Sequence, residues 1–354
     1  MRLAFLHGSN DLYGASRVLA QDVELLLGMG HSVSVTLPEE GPLTEMLVEL
    51  GAQLSIEPLS VLRRVSGAAG LRMPLRLPAA SQNADVIVLW TVALAGYLPT
   101  LRARRRRVIC SVHEILLGAV GRLLAAGTSV LSHSLMVNSE ATRRWITGDV
   151  PLRKAHLAYP VAPPYEPIPR PATDTDALQI LLMGRVNGHK GHLDAVLATQ
   201  GARDLGVEAE IALVGGSFPG QEHHLADLLA LIEDRPWARY GGEVADTRGF
   251  LERCDVVLVP TNRPEPFGVV ALEAWAAGRR VVASNLGGLV EATTMVEGIT
   301  VPANDVPALS QALVRVARDP TLRLAPRAEA PVSTRCTSAA RELAWRAALS
   351  EACV

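Results

Sequence analysis

The feature that most constrains the fold is an alternation of strand-like and helix-like segments, which occurs once on either side of a proline-rich stretch. Apolar runs at residues 3–7 and 178–184 end at glycines, and segments with helical spacing follow at 15–29 and 191–199. Strands that alternate with helices favour βαβ units and a parallel sheet. The pattern therefore predicts an α/β protein with two Rossmann-like halves.

The proline-rich stretch, residues 159–177, is the best candidate for a domain boundary. Its six prolines cannot join a helix interior or a central strand. A chain of 354 residues suits two domains of ordinary size. We predict an N-terminal domain over 1–165, a C-terminal domain over 166–338, and a last helix over about 339–354.

Composition excludes several classes of protein. Hydrophobic residues make up 49% of the chain and charged residues 20%, which is typical of a globular protein. The longest apolar run, residues 86–98, is too short to span a bilayer, and the first ten residues lack the apolar core of an export signal. The four cysteines are scattered without metal-ligand spacing, which favours reduced thiols. We therefore expect a cytoplasmic protein.

Residues 184–191, with the sequence GRVNGHKG, are the strongest local candidate for a phosphate site. They follow a predicted strand and open a helix, where free N–H groups and the positive end of the helix dipole meet. Gly184 allows close approach of the backbone, and Arg185 and Lys190 add full charges. The spacing matches neither a dinucleotide fingerprint nor a P-loop, which argues against a dehydrogenase or an NTPase. A glycine-rich turn with two solvated basic side chains explains the segment equally well.

Two further loops could hold a sugar nucleotide. In EPFGVVALE, Glu265 is expected in a loop and Glu273 about two turns into the next helix, where carboxylates can accept hydrogen bonds from hydroxyl groups. Residues 8–16 join the first strand to the first helix and could point a glycine-rich turn at a phosphate. The alternatives are solvated carboxylates in the first case and a helix start capped by Asp11 or Ser16 in the second.

Taken together, these loops resemble those of the GT-B glycosyltransferases of family 4. The resemblance covers nearly all of residues 1–318 and is strongest over 178–305. The matching pieces are Gly14-Ala15, GRVNGHKG, LVGGS at 213–217, GGEV at 241–244, EPFGVVALEAWAAG at 265–278 and NLGGLVE at 285–291. Trp275, Val290 and Thr261 depart from the usual pattern. The resemblance implies two facing Rossmann-like domains with a deep interdomain cleft, and a last helix that packs back on the first domain.

The resemblance also implies roles for the charged residues. Arg185 and Lys190, with the backbone at Gly184, would hold the donor diphosphate and neutralise the leaving group. Glu265 would hold the donor sugar, and Glu273 the ribose hydroxyls.

Further donor contacts follow from the same resemblance. The backbone of 267–269 (Phe267, Gly268 and Val269) would contact the sugar, Val244 would lie beside the base, and Gly14 would close on the phosphate. His113, at the end of a predicted strand, matches an active-site histidine near the sugar. A hydrogen-bonded core histidine is the alternative for that position.

The implied activity is that of a retaining glycosyltransferase, class EC 2.4. It would move a sugar from a nucleotide-sugar donor to a hydroxyl acceptor, such as a lipid-linked saccharide, a polysaccharide or a natural product. No cofactor or metal is expected, because Asp-x-Asp occurs only at 174–176, within the proline-rich stretch. Two alternatives stay open: an isomerase similar to nucleotide-sugar 2-epimerases, and a non-catalytic nucleotide-sugar-binding protein.

Arginines are concentrated at 102–107 and recur at 63–64, 72 and 76, among leucines. Such segments could contact an anionic membrane and place the protein peripherally on its inner face. A solvated loop and helix end in an arginine-rich protein is the alternative. Nucleic-acid binding is not expected, because no recognised module is present and aromatic residues do not accompany the arginines.

Overall fold

The computed structural model describes residues 1–62, 74–148, 154–169, 176–218, 220–244, 246–323 and 326–353. The chain divides into two compact units. The first comprises Met1–Val161 with Cys336–Val354, and the second comprises Ala162–Arg335. The division falls within the proline-rich stretch. Arg63, Arg64, Arg72, Asp174 and Thr175, which were considered above, lie outside the described residues.

Seven described strands of the first unit form one parallel sheet, in the order β3-β2-β1-β4-β5-β6-β7. They are β1 (Arg2–Leu6), β2 (Ser32–Leu37), β3 (Gln53–Ile56), β4 (Val86–Leu89), β5 (Val108–Val112), β6 (Ser134–Val137) and β7 (Ala155–Leu157). The order reverses between β1 and β4, which pair in register from Leu3 with Val86.

Helices connect these strands. They are α1 (Gly14–Gly28), α2 (Pro42–Glu49), α3 (Ala79–Gln82), α4 (Leu98–Ala103), α5 (Gly118–Leu131) and α6 (Glu140–Thr147). Local sequence explains their ends: Ser139 and Thr142 form a capping box at the start of α6, with the Ser139 hydroxyl 2.9 Å from the Thr142 nitrogen. After α1 the chain turns through Gly30 at a φ of +82°.

The second unit contains a second parallel sheet, with the described strands in the order β10-β9-β8-β11-β12-β13. Its strands are β8 (Leu178–Met183), β9 (Ala209–Val214), β10 (Ala238–Tyr240), β11 (Val256–Val259), β12 (Arg280–Ser284) and β13 (Ile299–Val301). Its helices are α7 (His192–Asp204), α8 (His223–Ile232), α9 (Arg248–Arg253), α10 (Val269–Ala276), α11 (Leu289–Met295), α12 (Val306–Arg318), α13 (Pro320–Arg323) and α14 (Val332–Arg335).

The central strands of both sheets are continuous apolar runs, as in β4 and β11, because helices cover both faces of a parallel sheet. In the second unit, α7 and α12 pack against each other, and the Asp305 carboxylate caps α12 by accepting from the Ala308 nitrogen at 2.8 Å. The prediction of an α/β fold with parallel sheets is confirmed.

The last helix, α15 (Ser338–Cys353), belongs to the first unit. Trp345 is fully buried, and its ring centroid lies 5.9 Å from that of Phe5 in β1. Arg341 is also buried and forms a bidentate ion pair with Asp22 of α1, including Nη2 to Oδ2 at 2.8 Å. It further donates to the carbonyl oxygens of Ala158 and Tyr159. The end of the chain is thus part of the core of the first unit.

None of the helices within the described ranges combines the length and the apolar composition that crossing a membrane requires. Three cysteines, Cys110, Cys254 and Cys336, are buried thiols, and Cys353 is a partly exposed thiol.

Candidate functional site

The strand order of the second unit identifies where a ligand would bind. The order reverses at β8, whose neighbours β9 and β11 lead in opposite directions. In open parallel α/β sheets, ligands bind outside the carboxyl ends of the strands at such a switch point. Residues 184–191 follow β8 and residues 260–268 follow β11, so both sequence-predicted loops lie at this edge.

Hydrogen bonds join the two loops. The backbone nitrogen of Asn262 donates to the His189 carbonyl at 3.0 Å, and its side chain donates to the Gly188 carbonyl at 2.8 Å. The Thr261 hydroxyl also donates to the His189 carbonyl, at 2.9 Å. Gly191 adopts a φ of +71°, and a Cβ there would overlap the Pro260 carbonyl, so only glycine fits where α7 begins.

Lys190 and Glu265, one from each loop, meet at the centre of this edge. The Lys190 Nζ donates to Glu265 Oε1 at 2.6 Å, with the side chains 28% and 17% exposed. Gly184 lies against the aliphatic stem of Lys190. The backbone of Glu265 is held in turn by the loop after β12, where it pairs with Gly287 and accepts from the Gly288 nitrogen at 2.7 Å. The pair is therefore a rigid, partly accessible charge centre.

Arg185 is half-buried, and its guanidinium carbon lies 5.2 Å from the ring centroid of Phe218. A cation over an aromatic face is stabilised by the ring quadrupole, which restricts the direction of the side chain. Phe218 was not predicted from the sequence, since it lies in the loop after β9, 33 positions from Arg185.

The loop after β11 opens α10 as predicted. Gly268 adopts a φ of +97° at the cap position, Phe267 is buried, and the helix begins at Val269. The first N–H groups of a helix have no partner within the helix, which suits an anion or a hydroxyl oxygen. Glu273 is half-buried and is the fifth residue of α10. The expectation that it lies two turns into the helix was wrong, because the helix starts only after the left-handed glycine.

Val244 is half-buried in the segment after β10. This segment lies beside the loop after β9: the Tyr240 hydroxyl donates to the Gly215 carbonyl at 2.8 Å, and a Cβ on Gly216 would lie 2.6 Å from Glu243 Oε2. Gly216 thereby allows the two segments to approach closely.

The first unit holds the other two predicted residues at the carboxyl edge of its own sheet. His113 directly follows β5; its Nε2 lies 2.8 Å from the Ser111 hydroxyl, and its ring centroid lies 4.5 Å from that of Trp90. Burial first, and then the charges of Arg341 and His7, hold the pKa of His113 well below its usual value. The imidazole is therefore neutral at physiological pH.

Gly14 is the first residue of α1, and its position is set by buried polar contacts. Trp90 Nε1 donates to the carbonyl of the next residue, Ala15, at 2.9 Å. The Asp11 carboxylate accepts from the Tyr13 nitrogen at 3.0 Å and from the Ser16 hydroxyl at 2.9 Å. The expectation that Asp11 or Ser16 caps the helix was wrong, because Tyr13 occupies the N-cap position without a side-chain cap and Asp11 binds the turn before it. Trp90 connects the surroundings of Gly14 with those of His113.

Glu114, next to His113, was not singled out in the sequence. Its carboxylate accepts from the backbone nitrogens of Val92 and His113 at 3.2 and 3.3 Å. Burial raises the pKa of Glu114 to about 7, against the smaller opposing effect of these hydrogen bonds.

Among the described residues, no group of three or more His, Cys, Asp or Glu side chains could hold a metal ion. The charges assembled at the switch point of the second unit are instead the Lys190–Glu265 pair and Arg185.

Comparison with known proteins gives these loops a context. The family "Glycosyl transferases group 1" matches residues 177–319. A glycogen synthase of Mycobacterium tuberculosis is 33% identical over 149 residues, which are 41% of this chain and 35% of that protein. A D-inositol 3-phosphate glycosyltransferase of Saccharomonospora viridis is 34% identical over 184 residues, 48% of this chain and 40% of that protein. The chain thus spans well under half the length of these relatives.

Solved structures match the whole chain in fold. HepE from Anabaena, in complex with UDP and glucose, has a TM-score of 0.77 at 19% identity and covers 99% of both chains. Sucrose-phosphate synthase from Thermosynechococcus elongatus has a TM-score of 0.73 at 18% identity, with 99% of this chain and 98% of that chain covered. The chain therefore has the GT-B glycosyltransferase fold, and within its second unit residues 177–319 match the group 1 glycosyl transferases.

Proposed function

We propose that this protein transfers a sugar from a nucleotide-sugar donor to a hydroxyl acceptor, with retention of configuration and without a metal ion. The observation that carries the proposal is the Lys190–Glu265 pair, with Nζ and Oε1 2.6 Å apart, at the switch point of the second sheet. The pair joins the loops that lead into α7 and α10, and the first N–H groups of a helix have no partner within the helix.

This arrangement suits cleavage of a sugar–phosphate bond. As the bond between the anomeric carbon and the phosphate oxygen breaks, negative charge develops on the diphosphate. The Lys190 ammonium has three donors, of which one is used by Glu265, so the others can bind phosphate oxygens. Preorganised donors of this kind stabilise developing charge without reorganisation. Arg185, oriented by Phe218, adds a second cation.

The carboxylates would position the donor. Glu265 has a second oxygen besides the one bound to Lys190 and can accept from a sugar hydroxyl. We assign Glu273 to the ribose, Phe267, Gly268 and Val269 to backbone contacts with the sugar, and Val244 to the side of the base.

In a single step without a covalent enzyme intermediate, retention of configuration means that the acceptor oxygen attacks the face from which the diphosphate departs. The bond from the anomeric carbon to the acceptor oxygen forms as the bond to phosphate breaks, and a phosphate oxygen of the leaving group takes the proton of the acceptor hydroxyl. His113, being neutral, would act as a hydrogen-bonding group toward the sugar and not as an acid. We assign Gly14 to the donor phosphate.

A UDP-sugar is the donor that we would try first. HepE was solved with UDP and with UDP-glucose, and it shares the fold of this chain. Matching relatives carry names of saccharide and lipid-saccharide transferases, including a lipopolysaccharide 1,2-N-acetylglucosaminetransferase of Salmonella typhimurium. We accordingly propose a saccharide or lipid-linked saccharide hydroxyl as acceptor.

The test is thermal denaturation and UDP release with a panel of nucleotide sugars, each with Mg²⁺ and with EDTA. We expect stabilisation by one nucleotide class and slow hydrolysis of its sugar derivative, both unaffected by EDTA. Glu273→Gln should abolish the stabilisation, while Glu233→Gln, an exposed carboxylate of the same unit, should preserve it. Epimerised donor without UDP release would indicate an isomerase, and binding without turnover, even with saccharide acceptors, a binding protein.

A further inference from the structure

Helix α5 of the first unit carries large apolar side chains on its solvent-facing side as well as on its core-facing side. Gly121, Ala125, Thr128 and Ser129 are buried, and Leu124 and Leu131 pack partly buried against the core. Large apolar side chains point to solvent, with Leu123 72% and Val130 74% exposed. A surface helix of a globular protein normally directs its apolar stripe toward the core.

The exposed apolar side chains form one continuous stripe. At 100° per residue, Ala119, Val120, Leu123, Ala126 and Val130 fall within about a third of the helix circumference. Two further exposed leucines, Leu116 and Leu117, precede the first turn. We call these seven residues the α5 apolar face. Contiguous exposed apolar surface of this kind is characteristic of interaction sites.

The turn before the helix is fixed. The Trp145 indole nitrogen donates to the Leu116 carbonyl at 3.0 Å, from α6. A Cβ on Gly121 would overlap that same carbonyl, so the turn packs directly on the helix. The turn and the helix that carry the α5 apolar face are therefore fixed by contacts within the first unit.

Exposed arginines accompany this face on α5 itself, at Arg122, and on the neighbouring helix α6, at Arg144. Helices α4 and α6 pack beside α5, and the segment from α4 to α6, residues 98–148, contains eight arginines against two glutamates. Of the glutamates, Glu114 is half-buried and accepts hydrogen bonds from the Val92 and His113 nitrogens, and Glu140 forms an ion pair with Arg143 at 2.6 Å. The exposed arginines of the segment are Arg102, Arg104, Arg105, Arg107, Arg122 and Arg144.

We propose that the α5 apolar face and its flanking arginines dock this protein on a lipid bilayer that contains anionic lipids. An interfacial helix buries its apolar face at the boundary of headgroups and acyl chains, while basic residues bind anionic headgroups. A second copy of the chain fits less well, because two copies would bring two strongly positive segments together. The docking involves none of the residues assigned to the donor, so it can be tested independently of the proposed activity.

Co-sedimentation of the full chain with vesicles tests this proposal. We expect binding to vesicles of phosphatidylglycerol and phosphatidylcholine at low salt, weakening at 0.5 M salt, and at least about tenfold weaker binding to phosphatidylcholine alone. The double variant Leu123→Gln with Val130→Gln should bind the anionic vesicles at least about tenfold more weakly, since it removes apolar surface from the bilayer contact. Arg122→Gln should weaken binding by about fivefold on anionic vesicles only.

A matched control separates docking from a general change of surface. Leu343 in α15 and Val48 in α2 are 68% and 58% exposed in the same unit, so Leu343→Gln with Val48→Gln should bind like the wild type. Thermal denaturation should show all variants folded. The proposal is overturned if the wild type does not sediment with anionic vesicles, if the control pair weakens binding equally, or if the α5 variants instead dissociate a dimer in ultracentrifugation.

Discussion

The two units contain the same kind of sheet, yet they place their polar groups differently. In the second unit, charged side chains meet at the tips of two loops and stay partly accessible, as with Lys190 and Glu265. In the first unit, the half-buried His113 at the corresponding edge lies against an aromatic ring, with its ring centroid 4.5 Å from that of Trp90. The first edge thus presents a neutral imidazole packed on a ring, whereas the second presents an ion pair between two loops.

The difference indicates which groups each unit would contribute to the proposed reaction. Charge stabilisation needs charged groups in fixed positions, and the second unit provides these on loops joined by hydrogen bonds from side chains to backbone carbonyls. The first unit provides fixed shape and neutral hydrogen-bonding groups, whose geometry depends on packing. Damage to the second edge should therefore reduce catalysis with little loss of stability, and damage to the first unit's interior should reduce stability.

The largest effect is expected from the buried ion pair of the first unit. In Arg341→Ala, Asp22 is left as an uncompensated buried charge, and the carbonyls of Ala158 and Tyr159 lose their donor. We expect the free energy of unfolding to fall by about 3–5 kcal/mol. Denaturant unfolding followed by circular dichroism measures this loss.

The same helix offers a control for that prediction. Arg346 forms an exposed pair with Glu342 one turn away, so Arg346→Ala should cost only about 0.3–0.5 kcal/mol. Truncation before residue 339 should destabilise the first unit at least as much as Arg341→Ala, because it also removes Trp345 from the core. Equal stability of the truncated and complete chains would contradict the structural role of α15.

The second prediction concerns the charged edge. Lys190→Ala should lower the rate of UDP release from the donor by about 10²–10³-fold, as expected for one preorganised donor to the leaving group. Stability should change little, because the pair with Glu265 is partly accessible. The only other lysine, Lys154, lies in the first unit, and Lys154→Ala should retain the full rate. An unchanged rate in Lys190→Ala would remove this residue from the mechanism.

The third prediction uses pH to compare the units. Burial lowers the pKa of His7 in the first unit, and of His192 in the second, to about 4. Above pH 6.5 both histidines are neutral in the folded and unfolded chains. Between pH 6.5 and about 4 the unfolded chain binds more protons than the folded chain. The free energy of unfolding therefore decreases as the pH is lowered, by up to about 1.4 kcal/mol per pH unit for each histidine.

Single variants separate these contributions. His7→Asn should reduce the decrease in the free energy of unfolding between pH 6.5 and about 4. His223→Asn, at an exposed position, should leave that decrease unchanged. Glu114 acts in the opposite direction: its raised pKa, about 7, stabilises the folded chain below pH 4.5, and that stabilisation is lost as pH rises through 7. Glu114→Gln should therefore steepen the loss of stability toward acid. Identical profiles in His7→Asn and wild type would show that His7 does not stay neutral.

The contrast between the units also explains what could be predicted from the sequence. The central strands and the loop at 184–191 were predicted because glycines and prolines mark the ends of continuous apolar runs. Strands β3 and β7 were not predicted, since they are short and only half-buried or exposed. Helix α5 was missed because its apolar residues lie on both its core-facing and its solvent-facing sides, which weakens the usual periodic signal.

Site geometry was predictable only in part. Lys190 and Glu265 were each proposed from the sequence as site residues, but their contact was not. That contact spans 75 positions and depends on β8 and β11 being neighbours. The packing of His113 on Trp90 and the buried Asp22–Arg341 pair likewise depend on tertiary structure, and no local pattern indicates them. Glycines and prolines in the local sequence thus predict where loops occur. Contacts between loops can be predicted only once the order of the strands in the sheet is known.

The smallest effect is expected from the aromatic support of Arg185 in the second unit. Phe218→Leu keeps an apolar side chain under the guanidinium but removes the aromatic face, 5.2 Å away, that orients it. A cation–π contact at a partly exposed site contributes about 0.5–1 kcal/mol. If Arg185 binds the donor equally in the ground and transition states, the donor KM should rise about two- to fivefold with kcat unchanged. A fall in kcat instead would mean that Phe218 directs Arg185 toward charge that develops only as the bond breaks. In that case the catalytic position of Arg185 in the second unit would depend on packing against Phe218, just as the position of His113 in the first unit depends on packing against Trp90.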